Sequence, residues 1–189
     1  MRIIAGYLRG RRLKAPRGNS TRPTSDRARE GIFSILGSLE GLKILDLYAG
    51  TGALGIEALS RGAAQAAFVE SGHHALECLV ENLSTLSLLQ CTSVFRCPVE
   101  RVGSDLMTLA PFDVVFCDPP WSNAHAAWQL LNKMKAANWL PSGGRLVLEH
   151  PAHGGPAAPP ISNLDIVCTR AWGDSAVTIL RRPATVQQP

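Results

Sequence analysis

An acid, two prolines and an aromatic residue stand together at the end of an apolar run: residues 112–117 are followed by Asp118, Pro119, Pro120 and Trp121. A carboxylate and a backbone carbonyl can each accept one N–H of a planar amine, and the prolines fix the backbone that aims them. An indole ring can stack on a nucleobase, which is worth about 1–3 kcal/mol. These residue types favour a site that grips the exocyclic amine of a base. The alternative is a simple turn after a strand, where Asp and Pro are common.

A glycine-rich turn marks a second candidate site. The apolar run 42–48 leads into Ala49-Gly50-Thr51-Gly52-Ala53-Leu54-Gly55, and a helical pattern follows. Glycines at this spacing between a strand and a helix let a ligand approach backbone N–H groups at the helix N-terminus. Glu70 ends the next predicted strand, where a carboxylate can accept both hydroxyls of a ribose. The turn is therefore expected to hold a cofactor that contains adenosine.

Asp46 bears on which adenosine cofactor is bound. A carboxylate just before the glycine turn would repel a pyrophosphate, whereas it favours the cationic amino end of S-adenosylmethionine. A nicotinamide cofactor would also need a further substrate domain, for which few residues remain. Because open parallel sheets bind ligands at the carboxyl ends of their strands, Asp118 is expected to face the same crevice. The pattern favours methyl transfer from S-adenosylmethionine to an amine.

The rest of the chain must position these residues, and its alternation of apolar runs with amphipathic segments predicts a mostly parallel α/β sheet with helices on both faces. We predict strands at 43–48, 66–70, 93–97, 113–117 and 145–149, and helices near 53–61, 73–88, 100–109 and 123–138. Two further strands, 165–169 and 176–181, are expected to close the sheet as an antiparallel hairpin. The stretch from Ile3 to Leu13 predicts a small hairpin that could form an edge ribbon. Ser25 or Asp26 can cap a helix from Arg27 to about Leu36.

Length and composition limit the class of protein. A chain of 189 residues suits one full core, and we divide it into an extension, 1–41, and a catalytic domain, 42–189. Its five cysteines are odd in number and include no Cys-x-x-Cys pair, so we expect reduced thiols. No metal site is predicted. Without a membrane-spanning run or a signal-peptide core, we expect a soluble, cytoplasmic monomer.

Positive charge is concentrated at the start of the chain. Residues 1–29 hold nine of the nineteen Lys and Arg residues and a single acid, Asp26, although the whole chain carries only +4. A basic arm on an acidic body predicts contact with a polyanion, because neutralisation of phosphates supplies most sequence-independent affinity for nucleic acid. A solvated tail and an organelle transit peptide are the alternatives; glycines and a proline within the arm weaken the second.

Several segments together resemble one family. They are Arg2-Ile3-Ile4-Ala5-Gly6 with Arg9-Gly10-Arg11, the run from Arg22 to Glu30, residues 46–63, Glu70 and the Asp118–Trp121 tetrapeptide. In order and spacing the chain resembles the RsmD family of bacterial small-subunit (16S) ribosomal RNA guanine-N2 methyltransferases, nearly end to end. The resemblance implies a class I methyltransferase fold, S-adenosylmethionine as donor, and one guanine amine of 16S ribosomal RNA, or of the assembling small subunit, as acceptor.

The resemblance also implies roles for individual residues. Asp118, Pro119, Pro120 and Trp121 would hold the flipped guanine for direct in-line methyl transfer, without a covalent intermediate, so Cys117 is interpreted as a strand residue. The implied cofactor contacts are Thr24, Asp46, Tyr48, Ala49, Gly50, Thr51, Gly52, Glu70, Ser71 and Val99. The implied RNA contacts are Arg9, Arg11, Arg12, Lys14, Arg22 and Arg27. The run from Arg22 to Glu30 would close over the methionine end of the cofactor.

The chain departs from the family pattern at Gly72, where an acid is usual, at Cys97-Pro98, and at Trp121, where Phe or Tyr is commoner. These departures concern the ribose contacts, the adenine contacts and the size of the base pocket. Glu149 and His150 could reach the crevice or form a satisfied surface pair.

Other functions stay open at this point. The acceptor could be an adenine N6 of DNA or RNA, or a protein amide. A catalytically inactive RNA-binding assembly protein is a further alternative, and a dehydrogenase is a weaker one.

Overall fold

The computed structural model describes residues 1–16, 25–102, 104–120, 124–135, 139–153, 161 and 163–184. Its centre is one sheet of seven strands, in the order β3-β2-β1-β4-β5-β7-β6. The strands are β1 Lys43–Leu47, β2 Gln65–Glu70, β3 Thr92–Arg96, β4 Val114–Cys117, β5 Arg145–Pro151, β6 Asp165–Trp172 and β7 Ser175–Arg181. The first five run parallel, whereas β7 is antiparallel to both β5 and β6. The predicted sheet and its closing hairpin are confirmed.

The helices that connect the strands are α1 Asp26–Leu36, α2 Ala53–Ser60, α3 His73–Thr85, α4 Ser104–Met107 and α5 Ala124–Lys135, with 3₁₀ turns at Leu89–Cys91 and Val99–Arg101. Ser25 caps α1, since its Oγ accepts the Ala28 N–H at 3.2 Å. The helix predicted over 100–109 is wrong. Val102 has extended backbone angles, which separate the 3₁₀ turn from the short α4.

Two apolar clusters cover the two faces of the sheet. One includes Ile32 and Phe33 of α1, Ile56 of α2, and Phe68 and Phe116 of the sheet. The other holds alternate residues of the same strands against α5, with Trp128 and Leu131. Burial on both faces explains why the parallel strands are continuous apolar runs in the sequence. No helix in the described part of the chain is both long and apolar enough to cross a membrane.

The predicted N-terminal hairpin is present as a short antiparallel bridge between Arg2 and Arg12. The Ile3 N–H donates to the Arg11 carbonyl at 3.0 Å, and the Leu13 N–H donates to the Met1 carbonyl at 3.1 Å. The hairpin does not form an edge ribbon; it lies against α2, and Ile3 and Leu13 are buried in the same cluster as Phe68. The extension therefore shares a core with the sheet, and the division at residue 41 stays a prediction.

Candidate active site at the carboxyl ends of the parallel strands

Asp46 lies near the end of β1, just before the glycine turn, and its side chain is buried, with 2% exposed. Its Oδ2 accepts the Gly55 N–H at 2.9 Å. Burial, the largest cause, and the nearby Glu70 carboxylate together raise the pKa of Asp46 to about 8, against the opposing effect of the Gly55 N–H. The single described hydrogen bond offsets little of the cost of burying the charged carboxylate, so this group is suited to a cationic partner.

Glycine is required at two of the three glycine positions in the turn, for a different structural reason at each. Gly52 has φ 82°, a left-handed conformation that side chains disfavour, and it is the N-cap of α2. At Gly55 a Cβ would lie 2.4 Å from the Phe68 ring, so glycine lets α2 approach the sheet. At Gly50 a Cβ would meet nothing within 4 Å, which leaves open space beside the backbone of the turn. The turn offers a ligand both room and the N-terminus of a helix.

Glu70 closes the turn from the neighbouring strand. Its Oε2 accepts the Gly50 N–H at 2.7 Å, while its Oε1 accepts the N–H groups of Ser71 at 2.8 Å and Gly72 at 2.6 Å. The carboxylate thus holds the glycine turn as well as its own loop, a role that the sequence pattern does not reveal. A Cβ at position 72 would lie 3.1 Å from Glu70 Oε1, so the departure to glycine accommodates this close loop.

Tyr48 links the first and third strand ends. It has φ 58°, which is uncommon for a bulky residue. Its hydroxyl donates to Glu100 Oε1 at 2.9 Å, and burial, reinforced by this bond, raises the pKa of Tyr48. Glu100 lies beside Val99 in the 3₁₀ turn after β3, and the Val99 side chain is buried in the second apolar cluster. Glu100 is a residue that the sequence analysis missed.

The pairing of β1 with β4 places Asp118 at the same edge of the sheet as Asp46. Asp46 pairs with Phe116, β4 ends at Cys117, and Asp118 is the next residue of the chain. Asp118 is half-buried, Pro119 is buried and Pro120 is exposed. The two carboxylates, Asp118 and Asp46, add to burial in raising the pKa of the Cys117 thiol, so a reactive thiolate is disfavoured there.

Of the predicted site residues, Thr24, Arg22 and Trp121 lie outside the described part of the chain. Ala49 is buried, and its carbonyl accepts the Gly52 N–H at 2.8 Å, which closes the turn around Thr51. The predicted RNA contacts within the described residues are all exposed: Arg9, Arg11, Arg12, Lys14 and Arg27. Lys14 forms an ion pair with Glu81 of α3.

Two polar residues of α2 that the sequence analysis missed hold the basic arm. Glu57 is fully buried and accepts the N–H groups of Ile4 at 2.8 Å and Ala5 at 3.0 Å. The Arg61 Nε also donates to Glu57, at 2.8 Å, and the Arg61 guanidinium lies over the Phe33 ring.

Ser60 adds further contacts to the same hairpin. Its hydroxyl donates to the Ala5 carbonyl at 2.6 Å and its Oγ accepts the Leu8 N–H at 3.1 Å. A Cβ at Gly6 would lie 1.7 Å from the Ser60 carbonyl oxygen, so only glycine fits this approach. An acid within an otherwise apolar helix was the available signal for this docking site.

The interpretation of Glu149 and His150 as a surface pair is wrong, because both are buried at the end of β5. The His150 ring lies within 2.9 Å of the Thr178 hydroxyl through Nε2 and within 3.0 Å of the Pro151 carbonyl through Nδ1. Successive strand residues point to opposite faces, so Glu149 lies on the same face of the sheet as Val147 and its partner Phe116, and His150 lies on the other face.

One group of metal-type ligands occurs within the described residues, at the start of α3. His73, His74 and Glu77 bring their ligand atoms within 4.8 Å of one another, and all three side chains are exposed. Their spacing along one helix also explains two ordinary side-chain contacts, His73–Glu77 at 3.6 Å and His74–Glu77 at 3.3 Å.

Comparison with known proteins identifies related sequences. A family model described as Conserved hypothetical protein 95 matches residues 1–181. The chain is 32% identical over 191 residues to the ribosomal RNA small subunit methyltransferase D of Escherichia coli (strain K12), covering 97% of this chain and 91% of that protein. It is 34% identical over 154 residues to the protein of the same name from Haemophilus influenzae, covering 79% of this chain and 78% of that protein.

Solved structures show the same architecture. The protein yhhF of Escherichia coli, described as a candidate methyltransferase, superposes with a TM-score of 0.80 at 30% identity, covering 98% of this chain and 99% of that one. A hypothetical protein of Thermus thermophilus has a TM-score of 0.76 at 31% identity, covering 95% and 98%. An RNA methyltransferase of Salinibacter ruber, solved with S-adenosyl-L-homocysteine, shares the fold at 13% identity, with a TM-score of 0.63 and coverage of 89% and 98%. The predicted class I methyltransferase fold is confirmed.

Proposed function

The chain belongs to the family described as Conserved hypothetical protein 95, and we propose that it methylates the N2 amine of one guanine in 16S ribosomal RNA. This membership agrees with the predicted resemblance to the RsmD methyltransferases. The single observation that carries the proposal is that β1 and β4 are neighbouring strands whose ends bring Asp46 and Asp118 to one edge of the sheet. One carboxylate would serve the cofactor and the other the base.

The residues at the glycine turn fit S-adenosylmethionine. The buried Asp46 provides a carboxyl group whose ionised form a cationic amino end would stabilise, and the open space beside Gly50 admits a ligand to the backbone. Glu70 has its two oxygens at the rim of the same turn; Oε1 accepts two N–H groups and Oε2 accepts one, so Oε2 keeps an acceptor site for a ribose hydroxyl. When bound, S-adenosylmethionine supplies an electrophilic methyl group on a sulfonium.

The remaining chemistry belongs to the chain's own residues. Asp118 and the Pro119 carbonyl would accept the two N–H groups of the guanine amine and orient its lone pair toward the methyl carbon. Pro119 is buried, so this backbone segment is held by packing as well as by its ring. Transfer would form the N–C bond as the carbon–sulfur bond breaks, with S-adenosylhomocysteine as the leaving product, and Asp118 would accept the proton that the nitrogen loses. Trp121 would stack on the base.

The basic hairpin would hold the RNA beside this site. Arg9, Arg11 and Arg12 are exposed, and within the described residues none of them forms an ion pair. Their charges are therefore available to phosphates. We further propose that the protein acts as a cytoplasmic monomer, on either the naked RNA or the assembling small subunit.

The direct test is methylation in vitro. The purified protein is incubated with radiolabelled S-adenosylmethionine and either small ribosomal subunits or naked 16S RNA from cells that lack the cognate activity, and the modified nucleoside is mapped. We expect N2-methylguanine at one site. Label in N6-methyladenine or in protein would refute the acceptor, and the substrate form that is labelled identifies the natural one.

The Asp118→Ala variant separates binding from chemistry. It should bind S-adenosylmethionine as the wild type does and lose methyl transfer by at least about 100-fold, as expected for a lost proton-accepting group. An unchanged rate would remove Asp118 from the mechanism. Asp113→Ala is a suitable control, because Asp113 lies at the opposite end of β4, where its carboxylate accepts the Lys43 N–H at 2.8 Å.

A further inference from the structure

Asn82 of α3 connects two segments that are distant in sequence. Its side chain is buried, with 3% exposed. Its Oδ1 accepts the Lys14 N–H at 2.7 Å, and its Nδ2 donates to the Lys14 carbonyl at 3.1 Å and to the Thr51 carbonyl at 3.1 Å. Both amide protons and the carbonyl oxygen are thus used, so one planar group fixes the arm relative to the glycine turn.

Neighbouring contacts strengthen both sides of this junction. On the arm side, the Lys14 ammonium pairs with Glu81, the residue before Asn82. On the turn side, Leu79, one turn earlier in α3, packs so closely on Gly52 that a Cβ there would lie 2.5 Å from Leu79 Cδ1. Because α3 is rigid over this single turn, a displacement of the arm at Lys14 is resisted by the same helix that supports Thr51.

We propose that Asn82 is a positioning residue that couples RNA binding by the basic arm to cofactor binding at the glycine turn. The inference rests on the proposed function, since it takes Arg9, Arg11 and Arg12 as RNA contacts and the turn around Thr51 as the cofactor site. RNA bound to the arm would hold Lys14 in the geometry that Asn82 requires, and Asn82 would in turn hold the Thr51 carbonyl and the backbone N–H groups of the turn.

Such a coupling is reciprocal. If RNA tightens the binding of the cofactor by some factor, the cofactor must tighten the binding of RNA by the same factor. Coupling between two sites is typically about 5- to 150-fold. Loss of the Asn82 amide leaves the N–H and carbonyl of Lys14 and the carbonyl of Thr51 without this shared partner. The two sites would then respond to their ligands independently.

The test measures this factor with a cofactor product that cannot react. The dissociation constant of S-adenosylhomocysteine is determined by calorimetry with and without a saturating 16S RNA fragment, and that of the RNA with and without S-adenosylhomocysteine. For the wild type we expect both ratios to agree at about fivefold or more. For Asn82→Ala we expect both ratios to fall to about 1, even where the separate affinities change little.

Two further variants distinguish coupling from a general loss of stability. Asn82→Asp keeps an acceptor for the Lys14 N–H but loses both donated bonds, so it too should lose the coupling. Asn132→Ala is the matched control, since Asn132 donates to the Trp128 carbonyl within α5 on the other face of the sheet. It should keep the wild-type ratios. If Asn82→Ala does not fold, Asn82→Asp alone decides.

The outcomes separate the two proposals. A wild type that binds S-adenosylhomocysteine and methylates RNA, but shows equal affinities with and without the second ligand, overturns the role of Asn82 and leaves the proposed function intact. Wild-type coupling that persists in both Asn82 variants overturns it as well. Absence of methyl transfer to RNA by the wild type refutes the proposed function itself.

Discussion

Two buried carboxylates lie at the two ends of α2, and they are satisfied very differently. Glu57, near the end of the helix, is fully buried and accepts three hydrogen bonds, from the backbone of Ile4 and Ala5 and from Arg61. Asp46, beside the start of the helix, is 2% exposed, and the hydrogen bond described for it comes from the Gly55 N–H.

The difference indicates what each carboxylate is for. Glu57 accepts three hydrogen bonds from the chain itself, one of them from the cationic Arg61, so its partners are supplied by the fold. Asp46 lacks a cationic partner among the described residues, and its pKa is raised to about 8. Burial of such a group lowers the stability of the folded protein, and we attribute its presence to the binding of a ligand. We therefore interpret Glu57 as a structural residue and propose that Asp46 is a binding residue.

The largest effect on stability is expected for Glu57→Gln. The amide would place N–H donors against the backbone N–H groups of Ile4 and Ala5 and would leave Arg61 without its carboxylate. Breaking a buried ion pair costs about 3–5 kcal/mol. In a domain of this size each 1 kcal/mol lowers Tm by about 2–4 °C, so we expect a fall of roughly 6–20 °C in thermal unfolding.

Glu81→Gln is the matched control for this change, since the Glu81 side chain is half-exposed in its pair with Lys14. Exposed pairs contribute little, so its Tm should stay close to that of the wild type. Equal Tm values for both variants would mean that Glu57 does not anchor the hairpin.

Asp46→Asn is expected to act on binding. Removal of a charged partner for the amino end of S-adenosylmethionine should cost about 1.5–3 kcal/mol, which is roughly a 10- to 150-fold rise in its Kd by calorimetry. The control is Asp113→Asn, at the other end of the same pair of strands, which should leave the Kd unchanged. An unaltered affinity in Asp46→Asn would contradict the assignment of Asp46 to the cofactor.

The smallest of the three effects is a pH dependence of stability. The carboxyl of Asp46 has a pKa of about 8 in the folded protein and an ordinary value of 3.8. Between these values the folded protein holds one proton more than the unfolded chain, so the free energy of unfolding falls as pH rises and levels off above about pH 8.

Asparagine cannot titrate, so the Tm difference between Asp46→Asn and the wild type should increase from pH 5 to pH 8.5, in favour of the variant, by at least about 3 °C. The measurement is thermal unfolding of both proteins without cofactor at the two pH values. Parallel pH profiles would show that Asp46 is ionised in the folded protein. Glu57→Gln should lower the Tm relative to the wild type, whereas the Tm of Asp46→Asn should rise relative to the wild type as pH increases to 8.5, so the two carboxylates are distinguished by the sign of the effect.

Local patterns predicted most of the sheet and the motifs of the site. The buried parallel strands are short apolar runs with turn residues between them, and β1 begins at Lys43 as expected. The closing hairpin runs further than predicted, to Trp172 in β6, because β6 pairs with β7 as far as the turn at Gly173. Asp46, Gly50 and Glu70 could be predicted as site residues because their positions at the end of one strand, in the glycine turn and at the end of the next strand are themselves the signal.

The supporting contacts could not be read from the same patterns. Glu57 and Asn82 bond to backbone groups that lie 52–53 and 68 residues away, and no periodicity relates such positions. The second oxygen of Glu70 is another example, since its bonds to Ser71 and Gly72 depend on the exact path of the loop.

The docking of the N-terminal hairpin on α2 and α3 also fixes an order of events during synthesis. Chains emerge from the ribosome N-terminus first, so residues 1–14 appear well before Glu57, Ser60 and Asn82, which hold them. Until residue 82 has emerged, Ile3 and Leu13 have no complete core to enter. The basic segment at residues 1–14 therefore stays undocked until nearly half of the chain has been synthesised. The hairpin is among the later elements of the first half of the chain to reach its native position.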